Sequence, residues 1–171
     1  MEFDFERLLG CLGKCLDDHE VRQLLGDLRP KIERMAYVGF AEFKELGVSI
    51  MLKEAPWVIP SEQIAEPKAL HVCAVHFHGP GHDRYTQYTG VFPGEVRFGD
   101  SEKDVHTKLG KPLAVGGGGV STVLKKPLPR WLRYTVSNAV FQFQLGPDGR
   151  VNLAALYLEE AEQDPDTFLS A

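Results

Sequence analysis

The chain reads as an α+β protein: tandem duplicated helix-plus-three-strand units forming a mainly antiparallel sheet with helices packed on one face. Three observations predict this. Apolar residues recur at helical spacing at Phe5, Leu8, Leu9, Leu12 and Leu16, and again at Val21, Leu24 and Leu25. Leu132, Tyr134 and Val136 alternate with polar residues, and Val140-Phe141-Gln142-Phe143-Gln144-Leu145 alternates more cleanly, the period of a strand with one buried face. Finally, Val21-x-x-x-Leu25-Gly26 has a counterpart in Val105-x-x-x-Leu109-Gly110. Extending that match pairs residues 47–52 with 138–143, and 70–77 with 151–158. The expectation is a single domain over residues 1–171, built of two pseudo-repeats at about 17–79 and 99–160, with an extra N-terminal helix at 4–16. Two such units give a sheet of about six strands, one face covered by helices and the other partly open to solvent.

Taken in order, the first helix carries Gly10 and Gly13, each costing about 1 kcal/mol relative to alanine, so it depends on packing. Cys11 and Cys15 lie on adjacent turns and are read as small buried hydrophobes. Asp17-Asp18 can cap the second helix, which Gly26 or Pro30 ends. Residues 37–43 are aromatic-rich and extended, and Val48, Ile50 and Leu52 share one face of a strand. The loop KEAPWVIPSEQIAEPK holds three prolines and Trp57. Residues 70–77 are almost wholly apolar, as in a strand buried on both faces.

A central junction follows. Phe92-Pro93-Gly94 makes a turn and Val96-Arg97-Phe98 a short strand. Ser101 caps a helix, with Asp104 three residues on completing an imperfect capping box. Gly110 fits the left-handed C′ position, and Pro112 prevents continuation. Beyond the glycines at 116–119 comes VLKKPLPR, the single basic run, and then the alternating strands. Gly146-Pro147-Asp148-Gly149 closes a hairpin in which Gly149 takes positive φ. The tail from Glu159 is acidic and solvated.

Composition excludes several functions. With 43% hydrophobic and 25% charged residues, the chain is an ordinary globular protein. A net charge of −5 leaves no basic stripe to neutralise phosphates, so no nucleic-acid partner is expected, whereas a basic protein partner is electrostatically reasonable. No run approaches the roughly 18 apolar residues of a membrane-spanning helix. MEFDFERLLGCLGKC is acidic and lacks the apolar core of a signal peptide. An odd number of cysteines, three, does not suit a secreted disulfide framework. A cytoplasmic location follows as the expectation.

Catalytic motifs are weak. His76 and His78 point to the same side of a strand, and a turn through Gly79-Pro80-Gly81 could return His82 to them. Three imidazoles can hold zinc, so a metal-binding protein or hydrolase using His76, His78 and His82 is the alternative. Against it, the spacing matches no zinc motif and histidines at strand ends are commonly solvated. Gly116 to Gly119 lack the lysine of a phosphate loop and the strand–turn–helix context of a dinucleotide site. They read as a flexible loop, and no cofactor is expected. Cys73 lies mid-strand, where burial makes a thiol inert. Exposed aromatics ringed by acids are what a protein-binding surface needs. Trp57 with Glu62 and Glu66, and Tyr85 with Tyr88, are the candidate partner-binding residues.

The run Tyr85-x-x-Tyr88-x-Gly90-x-x-Pro93-Gly94, then Phe98-Gly99-Asp100-Ser101, then Val105-x-x-x-Leu109-Gly110-x-Pro112 and a glycine-rich loop resembles small bacterial immunity proteins of polymorphic toxin systems. The helix-then-strands unit also looks like the repeat of the beta-lactamase-inhibitor-protein fold, shared with the outer-membrane assembly lipoprotein BamE. The resemblance implies a protein that binds and blocks a toxin and catalyses nothing. The chain departs from the secreted and lipoprotein relatives in lacking a lipobox and a disulfide pattern, which favours an intracellular target. The expected function is thus a non-catalytic cytoplasmic inhibitor, an immunity protein whose partner is a cognate toxin, possibly a basic nuclease. A generic protein-interaction module is the remaining alternative.

Overall fold

A computed structural model describes residues 3–26, 30–123 and 125–159. The acidic tail beyond Glu159 and the stretch between Gly26 and Pro30 lie outside the described residues. Helix α1 (Phe5–Cys11) starts where the Asp4 carboxylate accepts the Glu6 amide. It is shorter than the periodicity suggests, because the chain turns at Gly13, whose φ is 78°. Helix α2 (His19–Gly26) buries Val21, Leu24 and Leu25, and the Asp18 carboxylate accepts the Glu20 amide. Helix α3 (Glu102–Leu109) carries the anticipated capping box in full, the Ser101 side chain taking the Asp104 amide while Asp104 takes the Ser101 amide.

Among the described residues, eight strands form one sheet: β1 (Ile32–Met35), β2 (Val38–Phe43), β3 (Val48–Glu54), β4 (Leu70–His78), β5 (Ala114–Gly116), β6 (Arg130–Val136), β7 (Ala139–Leu145) and β8 (Val151–Leu158). Their order is β1-β2-β3-β4-β8-β7-β6-β5, and the pairings are antiparallel throughout. The class is therefore α+β with an antiparallel sheet. Each half supplies a four-strand meander, where three strands were expected, and the halves meet along β4 and β8. The unforeseen strands β1 and β5 are short edge strands with little burial, so they lack the alternation that marks the inner ones. Conversely, Val96-Arg97-Phe98 forms no strand. Val96 is buried in the core by a loop lying across the helix side of the sheet.

That side holds the main core. Leu8, Val21 and Leu24 from the helices meet Ile50, Phe77, Phe141, Phe143 and Leu156 from the strands. Phe92, on the crossing loop, completes an aromatic cluster, its ring centroid 5.3 Å from Phe77 and 5.5 Å from Phe141. The loop reaches this position by passing the β2–β3 turn at Gly47, whose φ is 68°. A Cβ on Gly47 would stand 2.3 Å from the Thr86 carbonyl oxygen. Gly47→Ala is accordingly expected to destabilise the protein by about 2 kcal/mol, combining left-handed backbone strain with a shift of the loop. A urea titration measures it, and a change below about 0.5 kcal/mol would contradict the packing described.

The glycines at 116–119 are packed as a short arm, and the flexible-loop expectation is corrected. A Cβ on Gly116 would sit 2.2 Å from the Trp131 ring, and Leu128 N donates to the Gly119 carbonyl at 2.7 Å. At the other hairpin, Gly149 has φ 74°, as its turn requires.

Candidate functional site on the helix-free face

Because side chains alternate along a strand, the register places one row of residues straight across the face away from the helices. It runs Glu42, Ser49, His76, Ala155, Gln142, Arg133 and Ala114, from β2 to β5. Part of this face is covered after all. Val58 and Ile59, from the loop holding Trp57, pack with Met51, Cys73, Ala74 and Tyr157 in a second, smaller core. Beside it, Arg133 donates to the Gln142 side-chain oxygen at 2.7 Å and lies 4.4 Å from the Trp131 ring centroid.

At the other end of the row the polar groups concentrate. His76 and His78 emerge from β4 on this face and are both buried. The His78 ring stacks on Tyr85 with centroids 3.7 Å apart and planes 5° from parallel. Its Nε2 lies 2.9 Å from Ser49 Oγ, and its Nδ1 lies 3.0 Å from His82 Nδ1. The Tyr85 hydroxyl is also bonded to Ser49 and donates to Glu42 at 2.8 Å. Burial pushes the His78 imidazole down to about 3, with the neighbouring His76 and His82 adding to the effect, and burial pushes His76 down to about 4. Both rings are therefore neutral at pH 7. Burial and the Glu42 carboxylate raise the Tyr85 phenol.

The three-histidine set of the alternative reading is not the one that converges. His82 comes round through the Gly79-Pro80-Gly81 turn, but it brings Asp83 with it. His78, His82 and Asp83 can each present one ligand atom, all within 4.8 Å of one another. His76 stays in the sheet row beside them. Asp83 was legible in the sequence only as the neighbour of His82, since nothing local shows which way a turn will aim it.

The partner-binding candidates divide. Trp57 is 49% exposed and stacks on Tyr37 with centroids 5.0 Å apart, and Glu62 and Glu66 are exposed in the following loop. Tyr85 and Tyr88 do not join them, which corrects the expectation of exposed loop aromatics. Tyr85 is buried against His78, and Tyr88 is buried in the main core with its hydroxyl donating to the Phe3 carbonyl at 2.9 Å. Apolar rings in a loop that crosses a hydrophobic sheet face are drawn into it. Cys11 and Cys73 are buried, whereas Cys15, read with Cys11 as a buried hydrophobe, is only half-buried. A group that sequence reasoning passed over lies at the opposite edge, where Leu113, Val115, Val120, Val123 and Leu128 are exposed on and around β5.

No family model matches the chain, and no curated protein matches it. Among solved structures, it is similar to an extracellular protein containing an SCP domain from Bacillus anthracis, with 12% identity and a TM-score of 0.52. The likeness covers 91% of this chain but 46% of that one, so the chain spans less than half the length of that relative. A DUF4309 family protein, YjgB, from Bacillus subtilis aligns over 78% of this chain and 77% of its own at 11% identity and a TM-score of 0.42. At such identity the first likeness is one of fold alone. Among the described residues, no helix is long and apolar enough to cross a membrane.

Proposed function

We propose that this chain is a non-catalytic protein-binding protein of the cytoplasm, an immunity-type inhibitor that occludes a cognate toxin. The observation that carries the reading is Trp57, half exposed on its Tyr37 platform, with Met35 70% exposed on the adjoining edge strand and Glu62 and Glu66 in the same loop. A flat exposed aromatic in a loop that also carries two exposed carboxylates suits a basic partner, the aromatic supplying affinity and the charges speeding encounter. The negative net charge favours the same partner, a nuclease toxin being one such protein. A hydrolase built on the His76, His78 and His82 cluster is less well supported, because burial lowers both His76 and His78 and leaves them feeble bases at neutral pH.

The test is to examine the genes beside this chain's own for one encoding a toxin with a basic domain, and to co-express that domain with the chain. Growth should be restored, and the purified pair should associate more slowly as salt is raised. Trp57→Ala is expected to weaken binding by about 30-fold, roughly 2 kcal/mol, while leaving the unfolding midpoint nearly unchanged. Glu62→Lys with Glu66→Lys should lower the association rate. Toxicity that persists with the wild-type chain, or binding indifferent to all three changes, would overturn the proposal.

A further inference from the structure

We propose that His78, His82 and Asp83 form a binding site for a divalent transition-metal ion of the zinc class, clamping the end of β4 to the turn that follows it. The donors are two imidazole nitrogens and one carboxylate oxygen, a set suited to zinc, cobalt or nickel and ill suited to magnesium or calcium. His78 Nδ1 and His82 Nδ1 are 3.0 Å apart, and His82 Nδ1 is 3.5 Å from Asp83 Oδ2. Two nitrogens bound to one tetrahedral zinc lie about 3.3 Å apart, so an ion needs the pair to open by only a few tenths of an ångström.

The surroundings are those of a held ligand. A metal-binding imidazole normally donates its second ring N–H to a fixed acceptor, which directs the lone pair of the other nitrogen at the ion. His78 has this arrangement: Nε2 faces Ser49 Oγ at 2.9 Å, leaving Nδ1 toward His82. Ser49 is itself tied to the Tyr85 hydroxyl, which donates to Glu42, so the hydrogen bonds can run in one direction from imidazole to carboxylate. The stacked Tyr85 ring fixes the plane of the His78 imidazole.

The turn supplies an independent sign. Asp83 and Arg84 both have positive φ, 49° and 65°, immediately after Gly81 at 73°. Left-handed backbone costs a non-glycine residue about 1 kcal/mol or more, and such strain concentrates where a side chain must be aimed. Here it aims His82 and Asp83 at His78. The Asp83 side chain is 58% exposed and that of His82 15%, so the site opens to solvent on the carboxylate side, where a water or a partner's group can complete the coordination. The buried His78 supplies the inner wall.

Full-length protein stripped with a chelator and titrated with Zn2+, and with Co2+ as a spectroscopic stand-in, tests the site. One equivalent should bind, cobalt should give the visible absorption of a low-coordinate nitrogen–oxygen site, and zinc should raise the melting temperature. His82→Gln and Asp83→Asn should each weaken binding at least ten-fold, and Ser49→Ala by about ten-fold through the loss of the imidazole's brace. These three side chains lie outside the main core, so circular dichroism should show the fold intact. Absence of saturable binding, or binding that His82→Gln and Asp83→Asn leave unchanged, would overturn the assignment, the latter by placing the ion elsewhere.

Discussion

Phe77→Ala should lower the free energy of unfolding by about 3–5 kcal/mol. The side chain is fully buried on β4, the strand where the two halves of the sheet meet. Its ring lies 5.8 Å from Phe5, 4.8 Å from Tyr88, 5.3 Å from Phe92 and 6.4 Å from Phe141. These neighbours come from the first helix, the crossing loop and a strand of the other half, so one truncation loosens three parts of the chain together. Each is a flat ring held by others, which leaves little freedom to collapse into the space, and it is the unfilled part of a cavity that makes such truncations expensive. A loss of this size is a large fraction of the stability of an ordinary domain. Urea denaturation of the variant against wild type measures it. A loss under about 1 kcal/mol would mean that these rings do not form the common core.

The metal-free protein should also lose stability on acidification, beginning well above the carboxylate range. In the unfolded chain the histidines titrate near their ordinary value of about 6.5. In the folded chain burial holds His76 down to about 4 and His78 to about 3. Between those limits the unfolded state binds protons that the folded state refuses, so stability falls as pH falls. It is complete above about 6.5 and declines through the window down to about 4 for His76, with His78 continuing lower. For His76 alone the shift corresponds to something on the order of 3 kcal/mol. Measuring unfolding free energy at pH 7.5, 6 and 5 should reveal a decline, and His76→Gln should make it shallower, leaving the share due to His78. A profile level from pH 7.5 to 5, or one unaltered in His76→Gln, would show that this imidazole takes up its proton in the folded state.

Much of the fold was legible before any coordinates. Residues 48–52 and 140–145 carry a strand period, 70–77 and 151–158 are short apolar runs, and Ser101 with Asp104 and Gly110 bounds a helix by local chemistry alone. Each of these signals is written in neighbouring residues, because alternation and capping are near-neighbour physics. The short edge strands at Ile32–Met35 and Ala114–Gly116 were not legible. They owe their extended form to hydrogen bonds with a neighbouring strand, and burial leaves no pattern on them.

The candidate site divides in the same way. That His76 and His78 share one side of a strand follows from their spacing, and the sequence by itself determined it. Which other groups would meet them was decided by the tertiary structure. The β2–β3–β4 register sets Ser49 beside His76 and within reach of His78. The turn at 79–84 delivers Asp83, where the spacing had suggested a third histidine partner in His76. Tyr85 and Tyr88, alike in sequence as loop aromatics, part at the sheet's end, one stacking on His78 and the other entering the main core. Chain spacing carries a side chain's direction only as far as its own element extends, and where a turn comes to rest depends on contacts with residues that can be 40 or more positions away, as Tyr85 on Glu42 shows.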